Sequence, residues 1–248
     1  MFHVKPTNPI DSQYSDLLCN QADLVGVGVD AESCSLLLEH LKLVLHANMS
    51  FNLTTITDST EAIRLHVVDS LVGVPEVITA PAGRLADIGS GAGYPGIPVA
   101  IVCRRRTTLF ESVGKKARFL EETVGALDLA DRIDVQGRRS EELSETHRGA
   151  YAVVTARALS SLPSLLELSS PLLAVGGELI AYKAGVDVDE RLRGESAAAL
   201  LGFELRRERR IFLPTGGEER TILVYAKVGE PTMSLPRRPG LAQRRPLA

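Results

Sequence analysis

Apolar residues recur along this chain with two periods, and the change from one to the other divides it. In 33–48, SCSLLLEHLKLVLHAN, Leu37, Leu38, Leu41, Val44 and Leu45 fall at helical spacing. That pattern predicts an amphipathic helix with Ser33 or Ser35 as its N-cap. A second helix is predicted over 58–74, capped by Asp58 or Ser59, with Glu61 favoured in the first turn by the helix dipole and Pro75 ending it. Residues 1–80 therefore read as a helical N-terminal region, and the turn-forming TAPAGR at 79–84 marks its boundary.

From Arg84 onward short apolar runs alternate with helical repeats. Strands are predicted at 84–89, 106–111, 132–137, 150–157 and 176–185, and helices at 95–103, 112–129, 162–173 and 186–201. In the helix over 112–129 the repeat is Lys116, Phe119, Leu120, Val124 and Leu127, and Pro163 lies near the start of the one over 162–173. The runs at 203–214 and 219–228 form an antiparallel closing pair. Such alternation implies an α/β domain over 81–229, a mostly parallel Rossmann-like sheet with helices on both faces. No internal repeat is visible.

Composition narrows the picture. The chain has 248 residues, 44% of them hydrophobic, enough for a large buried core. Cys19, Cys34 and Cys103 are scattered without C-x-x-C spacing, which argues against a disulfide framework or a thiolate zinc site and fits a reducing compartment. The first residues lack a basic segment followed by an apolar run, and no stretch approaches about 18 uninterrupted apolar residues. A cytoplasmic, soluble protein is expected. The net charge of −3 hides an asymmetry: residues 1–80 carry −7, leaving +4 for the remainder. The end of the chain, PTMSLPRRPGLAQRRPLA, has four arginines and no acid, and its prolines argue against helix or strand. Residues 230–248 read as a flexible basic tail, either solvated or an arm contacting nucleic acid through Arg237 and Arg238.

The chemistry concentrates in RLADIGSGAGYPGIPVAI, 84–101. It contains a literal G-x-G-x-x-G at Gly91, Gly93 and Gly96, the spacing of a dinucleotide turn. Counted from the end of the strand the pattern is instead Asp87-x-Gly89-x-Gly91-x-Gly93, followed by Tyr94 and Pro95. A carboxylate just before the glycines is wrong for cradling a pyrophosphate and suits a ligand with an ammonium or sulfonium group. Glu111, 22 residues after Gly89 at the end of the next strand, stands where a carboxylate bonds a ribose diol. Together these residues describe a site for S-adenosylmethionine. In GRRSEEL, Ser140 and Glu141 are candidates to touch the adenine, or form an exposed helix cap.

The strings DIGSGAGYPGIPVAIV, ESVGKKARFLEE and ERTILV, with FNLT and HVVDSL upstream, resemble the RsmG (GidB) family of small-subunit ribosomal RNA methyltransferases, over about Leu36 to Lys227. The Pro-Arg-rich ending is also similar to that of some members. The resemblance implies a class I methyltransferase that moves a methyl group from S-adenosylmethionine to N7 of a guanine in the 530 loop of 16S ribosomal RNA. Its cofactor contacts correspond here to Gly89, Tyr94, Ser140, Glu141 and Arg157. Two departures stand out. GRRSEEL is one residue longer than the usual pattern, which leaves Ser140 and Glu141 open to a shift of one or two positions. Where the family reads Arg-His-x-x-Asp-Ser, Leu65 precedes His66 and the arginine is Arg64.

Guanine N7 carries a lone pair and no proton, so its methylation needs no general base, and no catalytic residue of that kind is expected. What is needed is orientation, with N7 held roughly 3–3.5 Å from the methyl carbon. A cation aimed at N7 would hinder the reaction. Arg157 and Lys183 fall near the ends of strands four and five, suited to RNA phosphate or guanine O6, or else to surface ion pairs. His66, Asp69 and Ser70 form a polar seam or a capped helix end, and Asn52 and Thr54 fix a turn or face the same seam. With 4% aromatics and no Trp, recognition by shape and phosphate fits better than a row of stacked bases. The expected partner is 16S ribosomal RNA within a small-subunit particle, with no metal, no membrane and a monomeric enzyme. Two other readings remain at this stage: a nicotinamide-dependent oxidoreductase, resting on the literal glycine string, and an inactive methyltransferase-like assembly protein.

Overall fold

The computed structural model describes residues 10–143 and 145–248, and the side chains from residue 13 onward; the start of the predicted helical region lies outside them. Two long helices open the described chain, α1 (Ile10–Leu24) and α2 (Ala31–Asn48). The cap of α2 is Asp30, not Ser33 or Ser35. Its carboxylate accepts from the Ser33 backbone N–H at 2.7 Å, so the helix begins earlier than its apolar stripe and both serines lie inside it. An ionised acceptor outcompetes a hydroxyl for the orphan N–H groups of the first turn. Asp58 caps the next helical run, accepting from Glu61. That run comprises α3 (Ser59–Ala62), a π-helical turn (Ile63–Val68) and α4 (Asp69–Leu71). Pro75 does not end it. It sits in the first turn of a separate helix, α5 (Val74–Thr79), where a missing N–H costs nothing.

The alternating half follows as β1 (Leu85–Ile88), α6 (Gly96–Cys103), β2 (Thr107–Phe110), α7 (Gly114–Ala126), β3 (Ile133–Gln136), α8 (Ser140–Leu143), β4 (Tyr151–Arg157), α9 (Leu162–Ser169), β5 (Leu173–Lys183), α10 (Val188–Leu201), β6 (Phe203–Phe212) and β7 (Glu219–Lys227). The sheet order is β3-β2-β1-β4-β5-β7-β6. Strands β1 to β5 run parallel, and β7 is antiparallel to both β5 and β6, as the closing pair predicted. Beyond shifts of one to three residues at element ends, the departures are α8, which was not predicted, α9, which stops at Ser169, and β5. Strand β5 begins at Leu173, paired with Tyr151 across a register shift, so residues 170–173 do not extend the preceding helix.

Strand alternation sends successive side chains to opposite faces and builds two cores. On one face Leu85, Val153, Ile180, Tyr182, Ile222 and Val224 pack with Leu18, Leu37, Ile63 and Val67, so the helical N-terminal region shares its core with the sheet. On the other Ala86, Ile88, Val154, Leu179 and Tyr225 meet Leu165, Leu166, Ala198 and Leu201. Leu235 and Ala242 join this second core, and a short helix, α11 (Leu241–Arg244), forms in the C-terminal segment despite its prolines. The chain leaves β1 toward β2 and β3 and returns to β4 on the other side. The crevice at the carboxyl ends of β1 and β4 is therefore where an open α/β sheet binds ligands.

Candidate functional site

Every element at this crevice is placed by the sheet. The loop after β1 turns through Gly89, Gly91 and Gly93 at φ +71°, +59° and +96°, conformations that L side chains rarely adopt. A Cβ on Gly89 would also stand 2.5 Å from the Leu159 side chain. The loop is tied to the next strand: Gly89 and Ser90 donate to the Phe110 carbonyl, and Gly91 N–H donates to Glu111 Oε2 at 2.9 Å. The other oxygen of Glu111 accepts from Val113 N–H at 2.7 Å, which orients the carboxylate from both sides.

Asp87 lies beneath the loop and is fully buried. Thr155 Oγ1 donates to its Oδ1 at 2.7 Å, whereas Oδ2 has no hydrogen-bond partner. Burial pushes its carboxyl up to about 6, partly offset by Ser90, Thr155 and the charge of Arg157. Gly96, the last glycine of the literal dinucleotide string, is the first residue of α6. A Cβ there would stand 2.7 Å from Asp87 Oδ2 and 2.5 Å from Leu109, so this glycine serves close packing of helix on strand.

One cavity borders the loop at Gly89, and a second is lined by residues that Tyr94 touches. The first is narrow, about 40 Å³, with Gly89, Phe110, Ser140, Glu141, Leu159 and Gln243 in its wall. Ser140 and Glu141, expected at the adenine, thus stand beside the glycine loop in a helical turn, and Ser140 is buried. These residues fit S-adenosylmethionine: glycine where a side chain would collide, a flanking pair of apolar surfaces in Phe110 and Leu159, an oriented carboxylate in Glu111 and an orphaned buried carboxylate oxygen on Asp87.

The second cavity is a basin of about 440 Å³ lined by His66, Asp69, Arg157, Tyr182, Lys183 and Arg220, among others. Its frame is Asp69, buried between two guanidinium groups: Arg157 Nη1 at 3.0 Å from Oδ2 and Arg220 Nε at 2.8 Å from Oδ1. The π-helical turn widens the backbone where His66 and Asp69 emerge, a use of such turns that recurs at functional sites. Ser70 is buried and donates to the His66 carbonyl, and Tyr182 donates to the Ser70 carbonyl at 3.1 Å. Of the seam expected of His66, Asp69 and Ser70, the first two line the basin and Ser70 is buried behind them.

Tyr94, at the end of the glycine loop, packs on residues of the basin. Its ring stacks on His66 with centroids 5.0 Å apart, lies 4.5 Å from His40 and takes the Arg157 guanidinium over its face at 5.5 Å. His66 Nε2 is 2.8 Å from Thr54 Oγ1, which places FNLT at the site, while Asn48 Oδ1 accepts from the backbone of Leu53 and Thr54. Burial, and then the charge of Arg157, push His66 down to about 4; burial does the same to His40.

Some expected contacts are otherwise engaged. Arg237 is bound to the buried Glu167 of α9 and to the Arg245 carbonyl, which makes it a structural clamp, while Arg238 is exposed. Lys183 lines the basin, but its ammonium is held by Glu190 at 2.6 Å and the Ser160 carbonyl. Arg64 is buried, paired with Glu61 and Glu218, and ties the π-helical turn to the β6–β7 loop. Sequence reading missed His40, Leu159, Thr155, Arg220 and Gln243; His40, Arg220 and Gln243 lie in the strings SCSLLLEHLKLVLHAN, ERTILV and PTMSLPRRPGLAQRRPLA, but no local pattern marks them as site residues. Among the described residues there is no cluster of three or more metal-ligating side chains, and no helix is long and apolar enough to cross a membrane. Cys19 and Cys34 lie side by side, Sγ to Sγ 3.6 Å, as free thiols.

Comparison with known proteins supplies the family. A solved structure, P. horikoshii TYW2 in complex with MeSAdo, shares the fold with a TM-score of 0.50, at 12% identity over 64% of this chain and 62% of that one. Among curated relatives, "Ribosomal RNA small subunit methyltransferase G" of Pelotomaculum thermopropionicum is 38% identical over 213 residues, 84% of this chain and 88% of the relative. The protein of that name from Roseiflexus castenholzii is 41% identical over 207 residues, 81% and 86% respectively. The family model for rRNA small subunit methyltransferase G (GidB) matches residues 33–211. With the glycine loop, its two carboxylates and the paired cavities in place on a Rossmann-like sheet, the chain belongs to this family of S-adenosylmethionine-dependent methyltransferases.

Proposed function

We propose that the protein methylates N7 of a guanine in the 530 loop of 16S ribosomal RNA, taking the methyl group from S-adenosylmethionine. The reading includes a monomeric enzyme in the cytoplasm, acting on RNA carried in a small-subunit particle and using no metal. The observation that carries it is the glycine loop after β1, which walls one cavity through Gly89 and, through Tyr94, packs on His66 and Arg157 of the basin that Asp69 and Arg220 also line.

In this reading Gly89, Gly91 and Gly93 approach the cofactor with backbone alone, Glu111 holds its ribose, Ser140 and Glu141 border its adenine and Asp87 faces its positive end. S-Adenosylmethionine, when bound, supplies an electrophilic methyl group on a sulfonium. The basin does the remaining work by orientation. His66, held at about 4, is neutral at physiological pH and adds no cation where the guanine gains positive charge. The guanidinium groups of Arg157 and Arg220 are fixed by Asp69, which offsets one of their two charges and leaves their outer N–H edges to guide guanine O6 or a phosphate. Lys115, Arg118, Arg138 and Arg238 are exposed; the first three follow the carboxyl ends of β2 and β3, and they supply the phosphate contacts of a shape-reading surface.

Mass mapping of ribosomal RNA from cells lacking this gene tests the reading. Loss of one methyl group from a 530-loop guanine, restored by the wild-type chain with purified particles, is the expected result; an unchanged guanine overturns it.

A further inference from the structure

The C-terminal segment does more than leave the domain. It is pinned along its length: Arg148 donates to the Leu235 carbonyl at 2.7 Å, Arg237 clasps the buried Glu167, Ser164 Oγ donates to the Ala242 carbonyl at 2.8 Å, and Gly240 N–H donates to Glu141 Oε1 at 2.9 Å. The last of these bonds joins the segment to a residue in the wall of the narrow cavity. Gln243 is another, reaching that cavity from the opposite end of the chain, with its Oε1 3.5 Å from Arg139 Nη1.

Resting on the cofactor reading above, we propose that Gln243 is a recognition residue for the adenine of S-adenosylmethionine, and that residues 237–243 are the outer wall of the cofactor pocket. Three observations carry this. A cavity of about 40 Å³ has room for a water and not for a purine, so the side chains at its mouth must part on binding, and Gln243 is one of them. The Arg139 contact is at the outer limit of a hydrogen bond and is readily exchanged for a better one. A primary amide offers a donor and an acceptor side by side, which matches the adjacent amino donor and ring-nitrogen acceptor of adenine. The other polar side chains in this wall belong to Ser112, Arg138, Arg139, Ser140 and Glu141, and none of them presents that pair in one planar group.

The test titrates two ligands, S-adenosylhomocysteine and its inosine analogue, in which a carbonyl oxygen replaces the adenine amino group, into the full chain and into Gln243→Ala. Gln243 is exposed, so its truncation leaves the core intact, and the melting temperature of the variant verifies this. The expected result is about tenfold weaker binding of S-adenosylhomocysteine by the variant, with the preference over the inosine analogue shrinking by a similar factor. Unchanged affinity, or equal weakening for both ligands, overturns the assignment. A wild-type chain that binds neither ligand overturns the cofactor reading itself.

Discussion

A buried carboxyl near the end of β1, the buried imidazole of His40 and the half-buried one of His66 set the residue-scale chemistry, and carboxyl and imidazoles respond to pH in opposite directions. Asp87 is raised to about 6 in the fold from about 4, so between those values the native state holds more protons than the unfolded chain and unfolding becomes easier as pH rises. His40 and His66 are lowered to about 4 from about 6.5, so there the unfolded chain binds more protons and stability is lost as pH falls through that window. Two groups outweigh one, and the melting temperature should fall on acidification from pH 6.5 to 4. In His40→Gln the slope of stability against pH should shrink by about 1.4 kcal/mol per pH unit, read from denaturant titrations across the window. An unaltered slope would mean that His40 is not the neutral, buried group described. Asp87→Asn keeps an acceptor for Thr155 and removes a buried charge. We expect its melting temperature at pH 7 to hold or rise, while S-adenosylhomocysteine binding weakens about tenfold or more by calorimetry, one charge-assisted bond being lost. Gly96→Ala should perturb both quantities at once, because its new Cβ strikes Asp87 as well as Leu109.

At the scale of elements, the π-helical turn and α4 are fastened to the sheet by Asp69. The carboxylate is buried at 7% exposure and lies between Arg157 of β4 and Arg220 of β7, so its removal leaves two guanidinium groups without a counter-charge. Breaking such a pair costs about 3–5 kcal/mol. Asp69→Ala is expected to lower the melting temperature by roughly 6–20 °C for a chain of this size, and calorimetric scanning measures it. A loss near zero would show the triad to be solvated. The outer edge of the sheet is managed by charge: β6 carries Arg206, Arg207 and Arg210, paired with Glu204, Glu178, Glu208 and Glu219 on neighbouring positions. A charged edge discourages pairing with another sheet.

For the whole molecule, the −7 of residues 1–80 and the +4 of the rest describe a chain whose positive charge lies with the sheet and the C-terminal segment. Binding to small-subunit particles should therefore weaken steeply with salt. Replacing Lys115 and Arg118 by Ala should lower the slope of log K against log salt by about 1.4–1.8, two phosphate contacts' worth, with S-adenosylhomocysteine affinity unchanged. An equal slope in wild type and variant would move the RNA to another face.

The alternation of periods along the chain determined the order of strands and helices, because a strand buried on both faces and an amphipathic helix each leave a local signature. It also determined the glycine register, since the strand end at Ile88 fixes which glycine follows it. Pro75 and the cap of α2 were misread because a proline marks a first turn as readily as an end, and because Asp30 lies outside the apolar stripe. What the sequence could not disclose is proximity between distant residues. His40 reaches the glycine loop, Gln243 the cavity beside it and Arg220 the basin, each from elements far away in the chain, and no local pattern encodes such contacts. Whether an arginine faces RNA or a buried glutamate was likewise a tertiary decision. Arg237 and Arg238 are neighbours of the same charge, yet the docking of the C-terminal segment onto α9 binds the first to Glu167 and leaves the second exposed.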